Sequence, residues 1–88
     1  MQIEAALVKE QGQTFAVVVV KSSVQAGGNQ ALQKAAQSFS PVFPGVPIIL
    51  MWQDTRGTPT YWGRLDIVRF LANLHPAQIP WQRWSVAA

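Results

Sequence analysis

The chain contains no cysteine, and only 12% of its 88 residues are charged. The absence of cysteine excludes disulfide bonds, thiol catalysis and cysteine-ligated metal sites. An average globular protein has about 25% charged residues, so this chain has few charges with which to cover its surface. We therefore expect some apolar surface to stay exposed or to contact a partner.

Long hydrophobic runs are absent as well. No apolar run approaches the about 20 residues that a membrane-spanning helix needs. The first residues, MQIEAALVKE, include acidic side chains and lack the basic start of a secretory signal peptide. We expect one domain over residues 1–88, in a cytoplasmic, bacterial-type protein without a membrane segment.

Basic residues outnumber acidic ones, but they are dispersed along the chain. Seven Lys and Arg against four Asp and Glu give a net charge of +3 and a sequence pI of ≈ 10.0. The basic residues run from Lys9 to Arg83, and no two of them are adjacent. Phosphate binding needs several cations on one surface, so this spacing argues against nucleic-acid binding.

The first half of the sequence predicts two strands and a helix. Residues 2–9 alternate in a way that is typical of a half-buried strand. The run TFAVVVVK has no polar face, which favours a strand covered on both sides. We expect a loop over SSVQAGGNQ. A helix follows in which apolar side chains recur at helical spacing from Leu32 to Phe39, and it ends before Pro41.

The second half predicts a strand, a hairpin, a helix and a last strand. IILMW is typical of a buried strand, and QDTRGTP has the composition of a turn. In that turn we expect Asp54 to accept hydrogen bonds from backbone amides ahead of it and Gly57 to take a positive φ. TYW is the returning strand. In the helix RLDIVRFLANL, Asp66 lies in the first turn, where the helix dipole favours a negative charge. WQRWSV is the last strand.

This order, ββαββαβ, predicts an α+β domain. We expect a two-layer α/β sandwich in which two helices cover one face of a mixed, four- to five-stranded sheet. Without its first strand the order is the split βαβ arrangement of ferredoxin-like domains. A mixed sheet fits equally well, in which the first strand, through the N-terminal hairpin, takes one of the two places beside the valine-rich strand.

Two families offer a partial resemblance. The βαββαβ portion, with its basic and aromatic residues, resembles an RNA-recognition domain, which implies bases stacked on the middle strands. The strand that would carry that family's glycine–aromatic signature reads TPTYWG, without the signature. The segment GVPIILMWQDTRGTPTYWGRLDIVRFL resembles the second half of a thioredoxin-type domain, which implies a strand, hairpin and helix, but the redox cysteines of that family are absent.

Residues with catalytic chemistry are few. His75 is the single histidine, and we expect it to interact with free carbonyls at the end of a helix. We expect Glu4 and Glu10 on or beside an edge strand, where charges deter pairing with other chains. The sequence therefore predicts no catalytic, cofactor or metal site, and it favours a non-catalytic protein over an enzyme.

Aromatic residues are the strongest sign of a binding surface. The chain has four tryptophans, and neighbouring strand positions face opposite ways. We therefore expect at least one large aromatic side chain from each of the strands TYW and WQRWSV on an uncovered sheet face. Aromatic and arginine side chains are enriched at interfaces. The candidate surface consists of Arg56, Tyr61, Trp62, Arg64, Trp81, Arg83 and Trp84.

These features predict a small binding or self-association domain without catalytic activity. The bare sheet face favours a homodimer over a monomer. The alternative is a nucleic-acid-binding module that uses a basic and aromatic sheet face. No protein partner can be named from the residues.

Overall fold

A computed structural model of the protein describes residues 2–10 and 12–85. The strands are β1 (Gln2–Glu10), β2 (Gln13–Val19), β3 (Ile48–Gln53), β4 (Pro59–Trp62) and β5 (Gln82–Ser85). The helices are α1 (Ser22–Ala26), α2 (Gly28–Phe39) and α3 (Leu65–Ala72), and a 3₁₀ turn spans Pro76–Gln78. The α+β class and the order ββαββαβ of the main elements match the expectation from the sequence.

The sheet is mixed, and its strands lie in the order β4-β3-β2-β1-β5. Strands β2 and β3 are parallel and are joined through α2, whereas the other neighbouring pairs are antiparallel. Strand β1 thus takes one of the two places beside the valine-rich strand β2, as in the second of the two predicted arrangements. Within the described residues, strand β5 pairs with residues 2–5 of β1 and with no others.

Strand β2 lies at the centre of the sheet. Its Val17 and Val18 have 0% of their surface exposed, and they point to opposite faces. An unbroken run of apolar, β-branched residues is what such a doubly covered strand requires. The interpretation of TFAVVVVK as a strand covered on both sides is therefore confirmed.

The helices lie on opposite faces of the sheet, so the domain has three layers rather than the expected two. On one face, Ile67 and Leu71 of α3 pack against Phe15 and Val17. On the other face, Leu32 and Phe39 of α2 pack against Val18 and its neighbours. The prediction of a bare sheet face is consequently wrong. The cause is β2 itself, whose two apolar faces both need cover.

Two local details differ from the sequence-based expectation. The segment SSVQAGGNQ contains the short helix α1 and the start of α2, which begins at Gly28 with a φ of 77°. Strand β1 is internal along residues 2–5, because β5 pairs along its outer side there, beside Glu4 but not beside Glu10. The charge of Glu4 therefore lies opposite Arg83 on the neighbouring strand. In the described residues, every helix falls short of the length and apolar character needed to cross a membrane.

The β3–β4 turn matches its prediction closely. Asp54 Oδ1 accepts hydrogen bonds from the backbone N–H of Arg56 and of Thr58, each at 2.9 Å. Gly57 has a φ of 83°, a conformation that glycine adopts at little cost. At the other end of β4, Gly63 has a φ of 151°, and a Cβ there would collide with the buried side chain of Ile49. Glycines thus flank the short strand that forms one edge of the sheet.

Candidate functional site

The aromatic candidates do not share one surface. Tyr61 and Trp81 pack into the cluster on the α3 face, whereas Trp62 and Trp84 pack into the cluster on the α2 face. The parity that separates Tyr61 from Trp62, and Trp81 from Trp84, is as predicted. Because both faces carry a helix layer, all four rings are half-buried, and the expectation of an aromatic on an uncovered face is wrong.

The tryptophan indoles hold parts of the fold together. Trp81 Nε1 donates a hydrogen bond to the carbonyl of Pro76 at 2.9 Å, and Trp84 Nε1 donates to the carbonyl of Ala5 at 3.3 Å. The Trp84 ring also meets Phe43 edge to face, with centroids 5.0 Å apart. Trp62 Nε1 donates to Asn29 Oδ1 at 3.2 Å and so ties β4 to α2.

The candidate arginines are also separated. Arg83 lies on β5 and Arg56 follows β3 beside β4, at opposite edges of the sheet. Four interstrand spacings make this separation about 19 Å. Arg64 Nη2 lies 2.6 Å from Asp66 Oδ2. With the Gln13 amide turned so that its oxygen faces the guanidinium, that oxygen accepts hydrogen bonds from Arg64 at 2.8 and 3.1 Å. The pairing with Asp66 lowers the pKa of that carboxyl through the hydrogen bond from Arg64.

His75 has a different role from the one expected. It precedes the 3₁₀ turn rather than bonding free carbonyls at the end of a helix. The His75 Nδ1 atom accepts a hydrogen bond from the backbone N–H of Ala77 at 3.1 Å, and the backbone N–H of His75 donates to Gln78 Oε1 at 3.0 Å. In the part of the chain that the structure describes, no three histidine or carboxylate side chains come together.

A different feature unites several of the candidates: β4 is an edge strand with a groove on each side. Among residues 2–10 and 12–85, β3 is the only strand that pairs with β4. On the α3 face, a groove of about 500 Å³ runs between β4 and α3. This β4–α3 groove is lined by Thr58, Pro59, Thr60, Tyr61, Val68, Leu71, Ala72, Leu74, His75 and Pro76. Its lining is largely apolar and contains no carboxylate.

Tyr61 lines this groove, and its hydroxyl has no hydrogen-bond partner among the described residues. The Oη atom is buried, and burial raises the pKa of the phenol. A buried hydroxyl without a partner costs about 1–3 kcal/mol, so phenylalanine would fill this position more favourably for folding alone. A buried polar atom without a partner often occurs at a binding site, where the choice of side chain serves binding rather than stability.

On the α2 face of β4 lies a second groove, of about 640 Å³, with a more polar lining. The α2–β4 groove is lined by Asn29, Gln33, Pro47, Ile48, Trp62, Gly63 and Arg64. The amides of Asn29 and Gln33 supply both donors and acceptors there. Strand β4 therefore separates an apolar groove from an amide-containing one.

Helix α3 extends the apolar surface beyond the first groove. Leu65, Val68 and Ala72 recur at helical spacing on the side of α3 toward β4 and solvent. Leu65 is 71% exposed, more than any other large hydrophobic residue in the described part of the chain. The sequence could not reveal this edge, because its exposure depends on which strands pair. The sequence contains one sign of an exposed apolar surface here: Leu65, which follows the glycine and arginine after β4.

Compared with protein families, with curated proteins and with solved structures, the chain matches none. The geometry of the edge strand and its grooves is therefore the basis for inferring function.

Proposed function

We propose that this protein is a small binding module whose β4 edge receives an extended segment of a protein partner. The observation that carries the proposal is the β4–α3 groove, an apolar channel beside a strand edge that no other described strand pairs with. A free edge offers backbone N–H and C=O groups in the spacing that an added strand needs, and a helix beside it supplies a pocket for side chains. Of the candidate residues, Tyr61, Trp62 and Arg64 line the two grooves.

Composition supports the same function. The chain is 49% hydrophobic and 12% charged, and β4 itself, PTYW, carries no charged side chain that would deter pairing. Pro59 and the short length of β4 limit edge-to-edge aggregation while leaving the groove open. Self-association is the second form of this proposal, with β4 of another copy as the added strand. A cytoplasmic location, without a catalytic activity of its own, belongs to the proposal as well.

Selection from a library of displayed random nine-residue peptides tests the binding function. We expect the immobilised protein to enrich extended peptides with alternating apolar residues. Their binding should perturb the amide resonances of residues 60–62 and of α3 in a chemical-shift titration. Ala72 is exposed on the groove side of α3, so Ala72→Gln should weaken binding about tenfold by filling the groove without changing the net charge.

The matched control is Ala26→Gln, at the exposed end of α1. It should leave peptide affinity unchanged. Equal affinities for both variants, or shifts confined to other strands, would show that β4 is not the binding edge. Sedimentation of the native protein at several concentrations tests self-association: a dimer that Ala72→Gln dissociates supports pairing through β4, and a monomer at high micromolar concentration refutes it.

A further inference from the structure

We infer that the segment received by β4 is acidic and alternates apolar with polar side chains. This inference rests on the proposed function and adds the chemistry of the partner. It follows from the unlike linings of the two grooves and from the charges that flank β4.

The alternation follows from the geometry of a strand. Successive side chains of a strand added beside β4 point to opposite faces of the sheet. One set enters the β4–α3 groove, beside Tyr61 and Val68, and should be apolar. The other set enters the α2–β4 groove, where Asn29 and Gln33 can bond polar groups and the half-buried ring of Trp62 offers a flat contact.

The acidic character follows from the charges near this edge. Arg56, in the turn that leads into β4, and Arg69, beside Val68 on α3, are both exposed. In the described residues, the one ion pair within 4.0 Å joins Arg64 to Asp66, so Arg56 and Arg69 have no carboxylate partner. Positively charged rims favour and orient oppositely charged partners.

The carboxylates of the protein offset only part of this positive charge. Asp54 accepts bonds from two backbone amides of its own turn, and Asp66 pairs with Arg64. Their two negative charges stand against the three positive charges of Arg56, Arg64 and Arg69, so the net charge beside β4 is +1. Glu4 and Glu10 lie on β1, which β2 and β3 separate from β4.

An acidic peptide fits these features better than a second copy or a nucleic acid. A second copy paired through β4 would bring another Arg56 and Arg69 to a rim that is already positive. A nucleic acid has the complementary charge, but it lacks the apolar side chains that would fill the β4–α3 groove. It also lacks a backbone that can pair with a strand.

Three synthetic nine-residue peptides test the inference. In each, Val and Thr alternate over the five central positions, and the two residues at each end are Glu, Gln or Lys. Each is titrated into the native 88-residue protein while the amide resonances of residues 60–62 are followed. We expect the Glu peptide to bind most tightly and the Lys peptide most weakly, with a preference that decreases as salt is added.

Variants then locate the charge effect. The double variant Arg56→Gln/Arg69→Gln should weaken the Glu peptide about tenfold. Lys9→Gln/Arg83→Gln, which removes the same charge from β1 and β5, should leave its affinity unchanged. N-methylation of alternate backbone amides of the peptide should abolish binding for one parity only, because only one set of amides faces β4.

The outcomes separate the two proposals. If library-selected peptides bind at β4 but the three synthetic peptides bind with equal affinity, the acidic specificity is wrong and the binding function stands. If the selected peptides do not contact β4, both are wrong. A homodimer dissociated by Ala72→Gln, or a single-stranded oligonucleotide that displaces the Glu peptide, would assign the edge to another occupant and overturn the inference.

Discussion

Asp54 organises the turn that carries Arg56 to the rim of the β4 edge. Its side chain accepts two backbone N–H groups, each at 2.9 Å, and the turn is also closed by a bond from Gly57 N to Asp54 O at 3.0 Å. We expect Asp54→Ala to lower the free energy of unfolding by about 1 kcal/mol, since a typical hydrogen bond contributes about that much. Urea denaturation measures the change.

The neighbouring Thr55 is the control for this prediction. Its side chain is exposed and lies at the same turn. Thr55→Ala should change the free energy of unfolding by no more than about 0.5 kcal/mol, as most surface substitutions do. Equal losses for the two variants would mean that the Asp54 carboxylate does not hold the turn.

Tyr61 presents the opposite case, in which a polar atom is buried without a hydrogen-bond partner in residues 2–10 and 12–85. Tyr61→Phe removes that atom, so we expect the free energy of unfolding to stay constant or to rise by about 1 kcal/mol. If the hydroxyl contributes to binding, peptide affinity at β4 should fall in the same variant. A clear loss of stability would show that the hydroxyl has a partner in solution.

The phenol of Tyr61 also predicts a pH dependence. Burial raises its pKa in the folded protein above the ordinary value of 10.0. As the pH rises above that ordinary value, the unfolded phenol ionises while the folded one stays neutral. The free energy of unfolding should therefore decrease with rising pH in this range. Tyr61→Phe should show a smaller decrease in alkaline urea denaturation.

At the scale of elements, the start of α3 is stabilised by the pair of Arg64 and Asp66. The hydrogen bond from Arg64 lowers the pKa of Asp66, so the folded protein favours the charged carboxylate. The stabilisation is present above the ordinary pKa of 3.8 and is lost as the pH falls through the lowered value. Arg64→Gln should raise the pKa of Asp66 in an NMR titration.

The control for that titration is Arg69→Gln, one turn further along α3. Arg69 makes no ion pair among the described residues, so its loss should shift the pKa of Asp66 much less. Equal shifts from the two variants would mean that the general positive charge, rather than the Arg64 contact, sets the pKa.

The backbone hydrogen bonds of strand β2 should open far less often than those of the β3–β4 turn. Strand β2 is paired on both sides and covered on both faces, whereas residues 54–57 form an exposed turn. We expect the amides of Val17 and Val18 to exchange with solvent only through global unfolding, and those of residues 54–57 to exchange by local opening. Hydrogen exchange followed by NMR measures both. Equal exchange rates would contradict the central position of β2.

At the scale of the whole molecule, charge is spread around the domain. Arg83 and Arg56 lie at opposite edges of the sheet, and the aromatic rings are half-buried in two separate clusters. We expect no submicromolar binding to generic single-stranded RNA or DNA at physiological salt, because too few cations reach one surface. A fluorescence anisotropy titration at several salt concentrations checks this. Tight, steeply salt-dependent binding would restore the nucleic-acid alternative.

The elements were predictable because their causes are local. An unbroken run of β-branched residues, apolar side chains at helical spacing, and the turn chemistry of Asp54 and Gly57 each act within a few residues. The positions of the strands to within one or two residues, the end of α2 before Pro41 and the opposite faces of Tyr61 and Trp62 followed from them; Val86, predicted in the last strand, lies outside the described residues. The sequence alone also determined that the surface has few charges and no thiol chemistry.

Tertiary structure decided which surfaces remained open. Both sheet faces are covered because α2 and α3 pack on opposite sides. Strand β4 is left at an edge because β5 pairs with β1 at the other end of the sheet rather than with β4. Both are contacts between residues far apart in sequence, so local patterns do not specify them. For this reason the sequence could indicate Tyr61, Trp62 and Arg64 as members of a binding surface. Only the sheet order showed that their shared feature is an edge strand between two grooves.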